Sequence, residues 1–140
     1  PFVIGKEEIF RDGKDLTIIA NGPLVYQSLL AAEELEKEGI NARVINCHTI
    51  KPLDKEAIIK AAKETKAIVT AEEHQVTGAL GSAISELLSE NYPVPIKKVG
   101  VKDRFGESGE ANELMKKFGL LKEDIIKAAK EAISMKLPVK

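Results

Sequence analysis

Three times in the first hundred residues, a β-branched apolar run ends in a polar or glycine-bearing turn and gives way to a segment of helical periodicity. Leu16-Thr-Ile-Ile-Ala20 is followed by Asn21-Gly22-Pro23, then by Val25, Leu29, Ala32 and Leu35 at three- and four-residue spacing, with Gly39 ending the segment. Residues 42–47 lead through His48-Thr-Ile-Lys-Pro-Leu53 to Asp54, a capping residue for a helix through about Thr65. The third unit starts at Ala67, passes Glu72-Glu73-His74 and Thr77-Gly78-Ala79-Leu80-Gly81-Ser82, and continues with Ile84, Leu87 and Leu88 on one helical face. After Tyr92-Pro-Val-Pro95 breaks the chain, a last run covers residues 96–101. Strands alternating with helices of this length predict an α/β domain: a three-layer α/β/α arrangement around a mostly parallel sheet. In such sheets ligands sit beyond the carboxyl ends of the strands, where the polar turns fall.

The ends of the chain add detail. Phe2-Val-Ile4 and Glu8-Ile-Phe10 are short extended candidates, and by spacing alone Asp12-Gly13 would close a hairpin. Asn21 or Gly22 is predicted to cap the first helix, with Pro23 at its first position. Leu53 and Ile58 stand where a hydrophobic staple would place them. Two helices close the chain, over residues 110–118 and from Lys122 to about Met135. Residues 55–64 and 122–131 match at nine of ten positions, which reads as two helices solving the same solvation problem.

At 140 residues the chain reads as one domain spanning 1–140, able to bury roughly 70% of its unfolded surface. A hydrophobic content of 44% with 31% charged residues fits a globular protein, and a net charge of -1 gives no reason to expect nucleic acid or an anionic membrane as partner. A single cysteine, Cys47, excludes an intrachain disulfide and favours the cytoplasm. Abundant Lys and Glu with only three Arg lean towards a thermophilic source. The start at Pro1, without methionine, suggests a piece of something longer.

Several constellations carry candidate chemistry. The turn at Asn21-Gly22-Pro23-Leu24 lacks the second and third glycines of a dinucleotide fingerprint, and no GxxxxGK[ST] occurs. Asn21, Gly22, Glu73, His74, Thr77, Gly78, Gly81 and Ser82 outline a candidate anion or regulatory crevice at the strand ends. There, free amides and a helix dipole could hold a phosphate or carboxylate. The plainer reading of Gly81 is close packing of helix on sheet. Glu72, Glu73 and His74 could supply acid–base chemistry, but adjacent strand residues face opposite ways, so a solvated strand end with one tethering residue is preferred. A metal site from Cys47, His48 and His74 lacks zinc-like spacing, and Cys47 closes an apolar run as a small hydrophobe. In the late loop, Arg104 could grip a phosphate or pair with Asp103, and Ser108 suits a helix cap. No catalytic, cofactor-binding or metal-binding residue is assigned.

Taken together, Leu16-Thr-Ile-Ile-Ala-Asn-Gly22, Arg43-Val-Ile-Asn, Thr49-Ile-Lys-Pro-Leu-Asp54, Ile68-Val-Thr-Ala-Glu-Glu-His74, Gly78-Ala-Leu-Gly-Ser82, Phe105-Gly-Glu-Ser-Gly109 and Leu114-Met-Lys-Lys-Phe-Gly119 resemble the C-terminal domain of transketolase. The last two segments favour transketolase over 2-oxoacid dehydrogenase beta subunits and deoxyxylulose-phosphate synthase. The resemblance implies a five-stranded mixed sheet with the first strand antiparallel at an edge, which overrides the hairpin. It also implies a parent enzyme that uses thiamine diphosphate and Mg2+ or another divalent cation to move a two-carbon ketol unit between sugar phosphates in the pentose phosphate pathway. Its partners would be the pyrimidine-binding and diphosphate-binding domains of the same enzyme, within a homodimer. The family's Gly-Asp-Gly cofactor segment is missing here, so the domain itself is expected to bind no cofactor and to support the dimer. A stand-alone flavodoxin-like anion- or nucleotide-binding module is the alternative of another class.

Overall fold

The computed structural model describes residues 8–47, 53–72, 79–100 and 122–137. The extended segment predicted over 2–4, the helix predicted over 110–118, and His48, Arg104 and Ser108 lie outside them. Five strands form one sheet: β1 (Glu8–Arg11), β2 (Leu16–Ala20), β3 (Ala42–Asn46), β4 (Ile68–Glu72) and β5 (Ile96–Gly100). Their order is β1-β3-β2-β4-β5. β2 runs parallel to both β3 and β4, β5 is parallel to β4, and β1 is antiparallel to β3.

Asp12-Gly13 therefore connects two strands that are not neighbours, so spacing alone misleads and the edge placement of β1 holds. Sterics and charge explain the path. A Cβ on Gly13 would sit 2.4 Å from the backbone carbon of Ala42, so the connection crosses directly over the start of β3. Arg43 fixes it there: its Nε donates to Asp12 Oδ1 at 3.1 Å and to the Gly13 carbonyl at 3.2 Å.

The helices α1 (Leu24–Lys37), α2 (Lys55–Thr65), α3 (Ala79–Asn91) and α4 (Lys122–Ser134) cover both faces. Strand parity decides which residue meets which layer. Leu16, Ile18, Ala20, Val44, Val69 and Ala71 pack with Leu24, Leu35, Ile125 and Ala129 of α1 and α4. Ile19, Ile45 and Ile68 pack with Ile58, Leu80, Ile84 and Leu88 of α2 and α3, and Cys47 joins them as a buried apolar group. All of β2 is buried, as a central strand covered on both faces requires. Its one polar side chain is satisfied: Thr17 Oγ1 lies 2.8 Å from Thr65 Oγ1, which donates to the Ala61 carbonyl.

Helix ends follow the sequence with one exception. Asp54 caps α2 by accepting from Ala57 N–H, and Leu53 and Ile58 pack in one cluster. Gly39, at φ +82°, lets the chain leave α1. At the start of α1, however, Pro23 occupies the cap in a helical conformation with no side-chain cap, so neither Asn21 nor Gly22 caps it. The reason is local: the Asn21 and Gly22 carbonyls accept from Leu24 and Val25, closing the turn with backbone alone.

Near the end of α4, burial pushes the Lys136 ammonium below its ordinary value of 10.5, with Asp15 opposing the shift. Between the lowered folded value and 10.5 the unfolded chain binds more protons, so this residue's penalty on stability fades as pH rises through that window. Lys136→Met is thus expected to stabilise the chain near neutrality and to lose its advantage towards pH 10.5, as read by urea unfolding across that range.

Candidate functional site

The strand order reverses between β2 and β4, whose crossovers leave on opposite faces, and the ends of these two strands frame the crevice. Asn21 N–H donates to the Ala71 carbonyl at 3.3 Å, so the turn after β2 lies against the last residues of β4. Asn21 is half-buried, while Gly22 and Ser82 are exposed and Gly81 is buried. Glu73, His74, Thr77 and Gly78 lie outside the described residues.

The chemistry at this end is set by Glu72. Along β4, Ile68, Thr70 and Glu72 share the face towards α2 and α3, so parity aims the Glu72 carboxylate at the start of α3. That helix has no acidic residue in its own first turn. Glu72 Oε1 accepts from Leu80 N–H and Oε2 from Gly81 N–H, both at 2.9 Å. A carboxylate placed on a helix N-terminus gains charge-assisted bonds and a favourable dipole. Glu72 is only 2% exposed, so it is a buried anchor: it ties the strand to α3 as a tethering residue would, but is not solvated. Two of the amides that the anion reading relies on are thereby occupied by the protein's own side chain.

Gly81 sits against the sheet. A Cβ there would lie 2.9 Å from Thr70 Oγ1 and 2.9 Å from Lys98 Cδ, which accords with the close-packing reading of this glycine. Beneath it, the Thr70 hydroxyl is buried without a hydrogen-bond partner. An unsatisfied buried hydroxyl costs free energy that a methyl does not. Thr70→Val is accordingly expected to raise the unfolding free energy by about 1 kcal/mol, measurable by urea denaturation.

At the opposite end of the sheet a polar recess of about 400 Å³ is lined by Arg11, Asp12, Gly13, Lys14, Glu36, Asn41 and Arg43. Its guanidinium groups both pair within the protein, Arg11 Nη2 with Glu36 at 3.1 Å and Arg43 Nη1 with Glu64 at 2.7 Å, while Arg11 Nε is buried without a hydrogen-bond partner. The sequence brings out Glu72 only as an acid–base candidate or part of a solvated strand end, and gives Arg43 no role. The available signal was positional: a charge placed in step with buried residues of its own strand. Among the described residues no group of three His, Cys, Asp or Glu side chains could hold a metal ion. Nor is any helix among them long and apolar enough to cross a membrane.

The family model of the transketolase C-terminal domain matches residues 5–125. The chain belongs to the transketolase C-terminal domain family. It is 50% identical over 135 residues to the 6-deoxy-6-sulfo-D-fructose transketolase subunit SqwH of Clostridium sp. (strain MSTE9), covering 96% of this chain and 42% of that protein. To the 1-deoxy-D-xylulose-5-phosphate synthase of Heliobacterium modesticaldum (strain ATCC 51547 / Ice1) it is 43% identical over 129 residues, covering 91% of this chain and 20% of the synthase. A solved split-gene transketolase, described as an inactive β4 tetramer, superposes with a TM-score of 0.89 at 46% identity, covering 97% of this chain and 44% of the other. This transketolase domain thus spans less than half the length of these relatives. Its edge-antiparallel, five-stranded sheet is the one the family resemblance implied.

Proposed function

We propose that this chain is the C-terminal domain of a transketolase, an enzyme that transfers a two-carbon ketol unit between sugar phosphates. The observation that carries the proposal is the family match over nearly the whole chain, joined to two transketolase relatives at 46% and 50% identity. Thiamine diphosphate and a divalent cation would supply the carbanion chemistry in the parent enzyme. The residues of this chain do not fit that cofactor: the sequence contains no Gly-Asp-Gly, and no three His, Cys, Asp or Glu side chains among the described residues are grouped to hold its cation. No reaction step is therefore assigned to them.

Within the parent, the domain acts as a scaffold that packs on the pyrimidine-binding domain and supports a cytoplasmic homodimer. What supports this reading is how four of the buried polar side chains are used. Glu72, Arg43, Thr17 and Thr65 all tie one element of this fold to another. The stand-alone anion-binding module loses two of its donors to Glu72.

Supplied with thiamine diphosphate and magnesium, the full-length enzyme that carries this domain is expected to convert a ketose phosphate and an aldose phosphate into the exchanged pair. Formation of 1-deoxy-xylulose 5-phosphate from added pyruvate and the aldose phosphate, with release of carbon dioxide and no ketol exchange, would place the parent with the synthase relatives and refute the transketolase assignment.

A further inference from the structure

The two edges of the sheet are treated differently. β5 carries Lys97 and Lys98, the charged residues that discourage pairing at an open edge. β1 carries two consecutive large apolar residues, Ile9 at 59% and Phe10 at 49% exposure, and among the described residues no strand pairs with its outer side. Its register shifts between Ile9 and Arg11, which places Phe10 at a bulge. A bulge twists an edge away from casual pairing but leaves the side chains uncovered. Adjacent exposed apolar residues on an edge strand mark a surface that a partner covers.

Resting on the reading of this chain as one domain of a longer transketolase, we infer that Ile9 and Phe10 are docking anchors covered by the polypeptide that precedes this domain in its longer relatives. More than half of each matched transketolase lies outside the region this chain covers, and a C-terminal domain receives that polypeptide through its first strand. β1 is the first described element and bears this apolar pair, so the anchors stand where the incoming domain arrives. Burying two such side chains at the centre of a small interface is the pattern in which a few residues dominate docking.

Hydroxyl-radical labelling of the full-length enzyme tests this at Phe10, with the same enzyme unfolded in urea as reference. Docking is expected to lower labelling of Phe10 by about tenfold, and equally at high and low enzyme concentration. A fall of only about twofold, matching the 49% exposure seen here, overturns the proposal. Protection that disappears on dilution assigns the surface to a second copy and also overturns it. As an independent readout, Ile9→Asp with Phe10→Asp is expected to lower the melting temperature of the full-length enzyme by several degrees, whereas exposed positions would leave it unchanged. Ketol transfer is assayed on the same unmodified enzyme: protection without transfer retains the anchors and refutes the transketolase reading, and transfer without protection does the reverse.

Discussion

Replacing Glu72 by leucine is expected to lower the unfolding free energy by about 3 kcal/mol, because two buried amides, of Leu80 and Gly81, are left without acceptors and each costs about 1–3 kcal/mol. The volume change is small, so packing does not account for a loss of that size. Glu72→Gln separates charge from hydrogen bonding. The amide keeps one carbonyl acceptor for one of the two donors, and the expected loss falls to about 1–2 kcal/mol. Urea unfolding followed by circular dichroism measures all three proteins. If the leucine variant loses less than the glutamine variant, Glu72 is not what holds the start of α3, and the anchoring role assigned to it fails.

Gly13→Ala is expected to cost a similar amount, about 3 kcal/mol, for a steric reason. The new Cβ would meet the backbone carbon of Ala42 at 2.4 Å, the nitrogen of Arg43 at 2.6 Å and the oxygen of Ala42 at 2.7 Å. These are backbone atoms of a strand paired on both sides, so none can rotate away. The β1–β2 connection must move instead, taking Asp12 and the Gly13 carbonyl away from Arg43, which is only 8% exposed. Gly81→Ala provides the contrast. Its Cβ meets Thr70 Oγ1 and the flexible stem of Lys98, which can swing aside, so a loss of about 1–2 kcal/mol is expected. Equal losses at the two glycines, in the same unfolding assay, would contradict the backbone clash.

Much of the fold was legible because apolar period and burial agree. Residues 55–65 and 122–132 illustrate this. The near-identical segments become α2 and α4 on opposite faces of the sheet. They bury corresponding positions: Ile58, Ala61, Ala62 and Thr65 in one, Ile125, Ala128, Ala129 and Ala132 in the other. Helical period alone fixes which side is dry, whichever layer the helix joins. Spacing alone points to a hairpin at Asp12-Gly13, which the family resemblance overrides, because pairing of β1 with β3 is long-range and accompanied by the close crossing at Ala42 and the contacts of Arg43. Those contacts have no local signature.

The site was harder to read. Glu72 looks like a charged strand terminus until its parity with Ile68 and the missing acid in the first turn of α3 are considered together. Gly81 was open to an anion or to close packing, and no pattern of neighbouring residues separates the two. The decision rests on the Thr70 and Lys98 side chains, brought to it by the pairing of β4 with β5.

The scaffold role is tested most directly by calorimetric titration of thiamine diphosphate with magnesium into the purified chain, with the full-length enzyme as the positive control. The chain is expected to give no binding heat where the full-length enzyme saturates. A saturable isotherm with the chain alone, or ketol transfer catalysed by it, would show that coenzyme chemistry resides in these residues and would contradict the scaffold role.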